Sequence, residues 1–151
     1  MNQQIYVNLP VRDLERSKAF FGALGFGFNP QFSDQNAACM IVSDDIYVML
    51  LVEPFFRTFT NKPVADAHSA TEVLLCLSCD SRAAVDALAA KAKAAGAACP
   101  NEPKDYGFMD QHGFEDLDGH LWELAYMESM PACQSAAASA TAATAPTPAP
   151  A

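Results

Sequence analysis

The chain has 151 residues, 51% of them apolar and 18% charged, which fits one domain, or two small halves sharing a core, and excludes a disordered chain, a coiled coil and a collagen. Nine Lys and Arg against 18 Asp and Glu give a net charge of −9 without a basic run, so neither nucleic acid nor an anionic membrane is expected as a partner, and the acidity serves solubility. Apolar runs such as Ile46–Val52 fall far short of the ~18 residues that cross a bilayer, and the start MNQQIYVNLPVRDLE lacks the basic and apolar blocks of a secretory signal, so a soluble cytoplasmic protein is expected.

Ile5–Leu9 reads as a short strand. Asp13 caps a helix that runs to about Leu24, with Leu14, Phe20, Phe21 and Leu24 on or near one face, and Gly25 ends it in the left-handed conformation. Phe26–Phe32, Ala37–Val42 and Ile46–Val52 read as strands separated by the polar turns Ser33–Asn36 and Ser43–Asp45. A long connection over 54–71 carries Phe55, Phe56, Arg57 and Phe59. Then the pattern recurs: a strand over Glu72–Cys79, a helix capped by Ser81 and ended by Gly96, a short strand from Ala98–Pro100, a strand over Tyr106–Glu115, the turn Asp116–Gly119, and a last strand His120–Met127.

Each half is therefore βαβββ. Gly25 and Gly96 lie 71 residues apart, and the last turns, Asp44-Asp45 and Asp118-Gly119, lie 74 apart. This internal repeat is the most informative feature of the chain. The segment 132–151, with ten alanines, three prolines and no charge, reads as a disordered tail. The five cysteines, an odd count, read as free thiols. Cys76 and Cys79 form a C-x-x-C, but three residues apart on a strand they point to opposite faces and do not share a metal ion.

Two segments on this repeat, Leu9-Pro-Val-Arg-Asp-Leu-Glu-Arg-Ser17 leading into Phe20-Phe21-Gly-Ala-Leu-Gly-Phe26, and Phe114-Glu-Asp-Leu-Asp-Gly-His-Leu-Trp-Glu-Leu124, resemble the opening strand–helix and closing hairpin of the vicinal oxygen chelate superfamily, which includes glyoxalases, extradiol dioxygenases and bleomycin-resistance proteins. The resemblance implies an α+β fold: tandem βαβββ modules, at about 3–53 and 72–128 within one domain of residues 1–131, forming an open, cup-shaped curled sheet with helices outside. It also implies a homodimer. In metal-dependent members four side chains in the cup hold the ion. Carried over to this chain, those positions are Tyr6, Met49, Leu74 and Glu123, of which Glu123 alone is a usual ligand. No bound metal or other cofactor is expected on that set, a divalent ion remaining the alternative.

Strand parity places Tyr6, Asn8, Tyr47, Met49, Leu74, Cys76 and Glu123 toward the cup, an apolar and aromatic lining suited to a small organic molecule. If the final hairpin pairs Glu115 with His120, His112 stands across from Glu123 on the same face, and the two are candidate catalytic groups or half of a rebuilt metal site. His120 reads as a surface turn residue. Arg57, on the Phe55–Phe59 segment, is a candidate to meet an anion if that segment folds over the cup, the alternative being a short helix packed on the sheet edge. Three functions follow: metal-free binding of a small organic molecule, a metal-dependent lyase or dioxygenase rebuilt around Glu123 and His112, or a non-catalytic protein with a filled cup.

Overall fold

Asp13 starts the first helix by accepting the Arg16 amide at 3.1 Å, and Ser81 starts its counterpart by accepting the Ala84 amide at 3.0 Å. Gly25 and Gly96 end the two helices at φ 105 and 109, the left-handed region that a side chain resists. The structure, a computed structural model, describes residues 2–128. The expected tail at 132–151 and Cys133 lie outside the described residues.

The first module comprises β1 (Ile5–Val11), α1 (Leu14–Ala23), β2 (Gly27–Asn29), β3 (Ala37–Ile41) and β4 (Ile46–Val52). A short helix, α2 (Glu53–Phe56), and a tight turn at Arg57–Phe59 open the connection. The second module comprises β5 (Leu74–Ser78), α3 (Arg82–Ala94), β6 (Lys104–Asp105), β7 (Met109–Glu115) and β8 (Leu121–Met127). The repeat is visible in the topology. Each module forms a four-stranded sheet, in the orders β1-β4-β3-β2 and β5-β8-β7-β6. In each, the first and last strands pair parallel and the remaining neighbours antiparallel.

Several strands are shorter than the sequence suggests. The strand expected over Phe26–Phe32 stops at Asn29, because the Asn29 side chain accepts the Gln31 amide at 3.0 Å and Pro30 cannot donate to a ladder. The strand expected from Ala98 is reduced to a single bridge between Ala98 and Glu115, and pairing resumes only at Lys104–Asp105, past Pro100 and Pro103. Tyr106, Gly107 and Phe108 form a bend, with Gly107 at φ 83, so β7 begins at Met109.

Both helices cover one face of their own sheet, and the two covered faces merge in one core. Leu9, Val11, Phe20, Phe21 and Leu50 of the first module pack in the same cluster as Val85, Ala89, Phe114, Trp122 and Leu124 of the second. The ring centroids of Phe21 and Trp122 are 5.3 Å apart, and those of Phe20 and Phe114 5.9 Å, so aromatic side chains supply much of the seam. Each such side chain is worth roughly 1.5–3 kcal/mol on burial. The opposite, helix-free faces are the concave ones, and the curled sheets do not close over them. Among the described residues no helix is long and apolar enough to cross a membrane.

Candidate functional site

The register of the last hairpin decides which side chains meet on the concave face. The Asp116 carboxylate accepts the Asp118 and His120 amides, both at 3.0 Å, and the Asp116 amide bonds the His120 carbonyl, also at 3.0 Å. His120 is thereby drawn into the turn, and the first ladder pair is Glu115 with Leu121, not Glu115 with His120. Gly113 then stands opposite Glu123, and His112 opposite Leu124. Directly opposed residues share a face. The expected His112–Glu123 pair is therefore not formed: His112 lies on the helix-covered face with Leu124, where its buried Nδ1 has no hydrogen-bond partner.

His120 also differs from the surface residue that the sequence suggests. It is 9% exposed, and its Nε2 meets the Pro10 carbonyl at 2.8 Å. The turn around it joins the modules. Asp118 accepts the Arg12 amide at 2.8 Å and the Ser17 hydroxyl at 3.2 Å. Asp116 accepts Trp122 Nε1–H at 2.9 Å, and burial raises the pKa of its carboxyl even against the neighbouring His120 and these donors. Asp116 and Asp118 of the closing motif are thus consumed by structure.

The remaining candidates fall into two matching sets. On the first module Tyr6 pairs with Tyr47 and Asn8 with Met49; on the second, Leu74 pairs with Leu121 and Cys76 with Glu123. The tyrosine rings stack at 4.9 Å with 12° between planes, and Tyr6 is 49% exposed. Tyr6 OH donates to Gln4 Oε1 and Tyr47 OH to the Asp44 carbonyl, so both hydroxyls turn to the strand ends. Asn8 Nδ2 donates to the Tyr6 carbonyl at 3.3 Å. Leu74 is 54% exposed among the described residues.

Around Glu123 lies a hollow of about 80 Å³, bounded by Leu74, Leu121, the His112–Gly113 stretch of β7 and residues the sequence reading did not single out: Glu102, Lys104 and Gln111. Lys104 stands opposite Gln111, hence on the Glu123 face. Only the one-residue change of register brings Gln111 to that face, and only the displaced β6 brings Lys104 there. The turn residues Asn101-Glu102-Pro103 were the one local signal. Cys76 sits beside Glu123, and its thiol is pushed above its usual value, first by desolvation and then by the Glu123 charge, which suppresses the thiolate. Cys39, Cys76, Cys79 and Cys99 are all free. Arg57 turns back along its own segment. It pairs with Glu53 at 3.5 Å, while Phe55 packs edge-on against Phe59 at 5.1 Å, so the segment is a short helix.

The donor set does not fit a catalytic divalent ion. Of Tyr6, Met49, Leu74 and Glu123, the last alone offers a carboxylate, and a catalytic tetrahedral or octahedral site needs about three imidazole, carboxylate or thiolate ligands. Gly113 opposite Glu123 adds none, and His112 is on the other face. Among the described residues no three His, Cys, Asp or Glu side chains converge as a metal site requires.

The bleomycin resistance protein-like N-terminal family matches residues 3–43. No curated protein matches the chain. Among solved structures, a hypothetical protein from S. aureus is 31% identical over 83% of this chain and 95% of its own, with a TM-score of 0.71. A glyoxalase/bleomycin resistance protein/dioxygenase family enzyme from Burkholderia phytofirmans is 19% identical over 81% of this chain and 96% of its own, with a TM-score of 0.68. An antibiotic binding protein from Streptomyces is 24% identical over 84% of this chain and 97% of its own, with a TM-score of 0.58. The last two likenesses are of fold.

Proposed function

We propose, for a chain that belongs to the glyoxalase/bleomycin resistance/dioxygenase family of the vicinal oxygen chelate superfamily, that its concave faces bind a small organic molecule without a metal ion. The observation that carries this reading is the lining itself: a stacked, half-exposed Tyr6–Tyr47 pair on one module, and an exposed Leu74 beside Glu123 on the other. Aromatic and apolar walls with few polar handles favour an organic ligand, and a single carboxylate gives orientation without holding a metal ion. The Streptomyces neighbour described as antibiotic binding is compatible with this class of ligand.

The two concave faces belong to sheets whose opposite sides share one core, so neither face covers the other. We propose that a second copy of the chain completes each cup, pairing the Tyr6 face of one protomer with the Glu123 face of its partner. The exposure of Tyr6 and Leu74 supports a homodimer, because apolar patches of this kind mark interaction or ligand surfaces. Light scattering on the purified protein reads twice the 16.2 kDa chain mass if this is right.

Binding is tested by thermal shift and calorimetry with metal-free bleomycin and a panel of planar aromatic cations, in EDTA. A ligand at a hundred times its Kd stabilises the fold by about 2.7 kcal/mol. Saturable stabilisation that Tyr6→Ala and Glu123→Gln both weaken supports the proposal. Stabilisation that appears only after a divalent ion is restored overturns it.

A further inference from the structure

A second cavity among the described residues, larger than the hollow at Glu123, lies away from the Tyr6–Tyr47 stack and from Glu123. It measures about 290 Å³ and sits between the connection that follows α2 and the ends of β1 and β8. Phe56, Val64, Ala67 and Val73 form one wall, and Leu9 and Leu121 the other. Of the concave-face residues, Asn8, Pro10 and Leu121 reach it. An apolar cavity of about 150 Å³ accepts a benzene ring, so this one has room for a substituted ring or a small bicycle.

One buried polar group distinguishes it from a packing void. His120, nine-tenths buried, lines the cavity. Its Nε2 lies 2.8 Å from the Pro10 carbonyl, and a carbonyl only accepts, so Nε2 carries the hydrogen. In the neutral ring Nδ1 is then a lone-pair acceptor. Among the described residues it has no partner and is not sealed off, the one buried side-chain nitrogen or oxygen left without a partner among them being His112 Nδ1. His120 also lines a small adjoining hollow of about 10 Å³, whose other lining residues include Pro10 and the charged Arg12, Glu53, Asp66 and Asp118. At the mouth, the exposed Lys62 and Glu72 carry opposite charges and give no net preference for an ion.

We propose that this cavity is a second ligand site, taking a compact neutral molecule with an aromatic or aliphatic body and one hydroxyl that donates to His120 Nδ1. The site goes beyond the concave-face reading and does not depend on it. The Pro10 carbonyl fixes the ring tautomer, and the turn set by Asp116 fixes the ring position, so the acceptor is preorganised. The connection that walls the cavity joins the two modules, and an occupant would therefore brace them against each other.

The test is titration of the full chain with 1-naphthol and with 1-methoxynaphthalene, which has the same body without the donor, read by calorimetry and by intermolecular NOEs. The expected result is saturable binding of 1-naphthol, with contacts to the Val64 and Val73 methyl groups and at least about tenfold weaker binding of the methoxy compound. Ala70→Phe, which fills the mouth, abolishes it, whereas Tyr6→Ala and Glu123→Gln leave it unchanged. Equal affinity for the two probes, the absence of NOEs to Val64 and Val73, or no binding overturns the proposal. The NOEs on the unaltered chain decide the matter even if Ala70→Phe does not fold. Loss of binding in Tyr6→Ala or Glu123→Gln would place the ligand on the concave face instead.

Discussion

The Asp118 carboxylate accepts the Arg12 amide at 2.8 Å, so the last hairpin turn of the second module holds the helix entry of the first. The same carboxylate takes the Ser17 hydroxyl, and Asp116 beside it takes three further donors. Asp118→Ala is expected to cost about 1 kcal/mol, because its bonds are partly exposed and water replaces them. Asp116→Ala is expected to cost about 3 kcal/mol or more, since it strands the buried Trp122 indole N–H and two turn amides. Urea unfolding measures both, and equal losses would contradict this division.

Glycine is required at position 119 for two reasons, and at position 25 for one. Gly119 has φ 92, and a Cβ there would lie 2.5 Å from the His68 backbone nitrogen. Gly25 has φ 105 but open space around it. Gly25→Ala is expected to cost about 1–2 kcal/mol from backbone strain alone. Gly119→Ala must also displace backbone of the connection, and should be the more destabilising by a clear margin in the same unfolding experiment.

Glu123 and His112 lie on opposite faces, so their effects separate. His112→Leu removes a buried nitrogen that has no partner and puts an apolar group opposite Leu124. Stability is expected to hold or rise by up to about 1–2 kcal/mol, with ligand affinity at the concave face unchanged. Glu123→Gln is expected to do the reverse, weakening binding and leaving stability nearly intact. A double-mutant cycle on binding then gives no coupling energy, and a measurable coupling would mean that the two side chains meet.

Acidification is expected to loosen the bend between β6 and β7. Asp105 accepts the Gly107 amide at 2.8 Å and pairs with Arg82 at 3.1 Å, and these contacts hold its carboxyl below the usual value of 3.8. A carboxylate with a lowered pKa in the fold contributes stability that is fully present above the unfolded value. That contribution is lost as pH falls through the lower folded value. Hydrogen exchange at Gly107 should therefore accelerate, relative to its intrinsic rate, only below about pH 4, the region of the unfolded carboxyl. Relative protection that already falls between pH 7 and 5 would contradict this assignment.

Much of the fold was legible because its signals are local. Asp13 and Ser81 cap their helices, Gly25 and Gly96 end them, and Ile46–Val52 is a strand with the bounds read from sequence. The parity of Tyr6, Asn8, Tyr47, Met49, Leu74, Cys76 and Glu123 also follows from strands whose phase local pattern sets. What failed depended on a side-chain hydrogen bond inside the last turn, which strand pattern does not reveal. The Asp116 carboxylate draws His120 into the turn, and that single residue moves His112 off the site and brings Gln111 onto it. Of the two readings of the Phe55–Phe59 segment, the short helix is the one the structure shows, with Arg57 paired to Glu53 one helical turn away.

The most direct test of metal-free binding is the metal content of the purified protein after loading with Zn, Ni, Mn and Fe(II), read by elemental mass spectrometry beside ligand titrations in EDTA. The account predicts far less than one metal ion per chain, and ligand affinity that is the same with and without the chelator. Near-stoichiometric metal that disappears in Glu123→Gln would contradict it, because the carboxylate would then be one arm of a site to which other groups contribute.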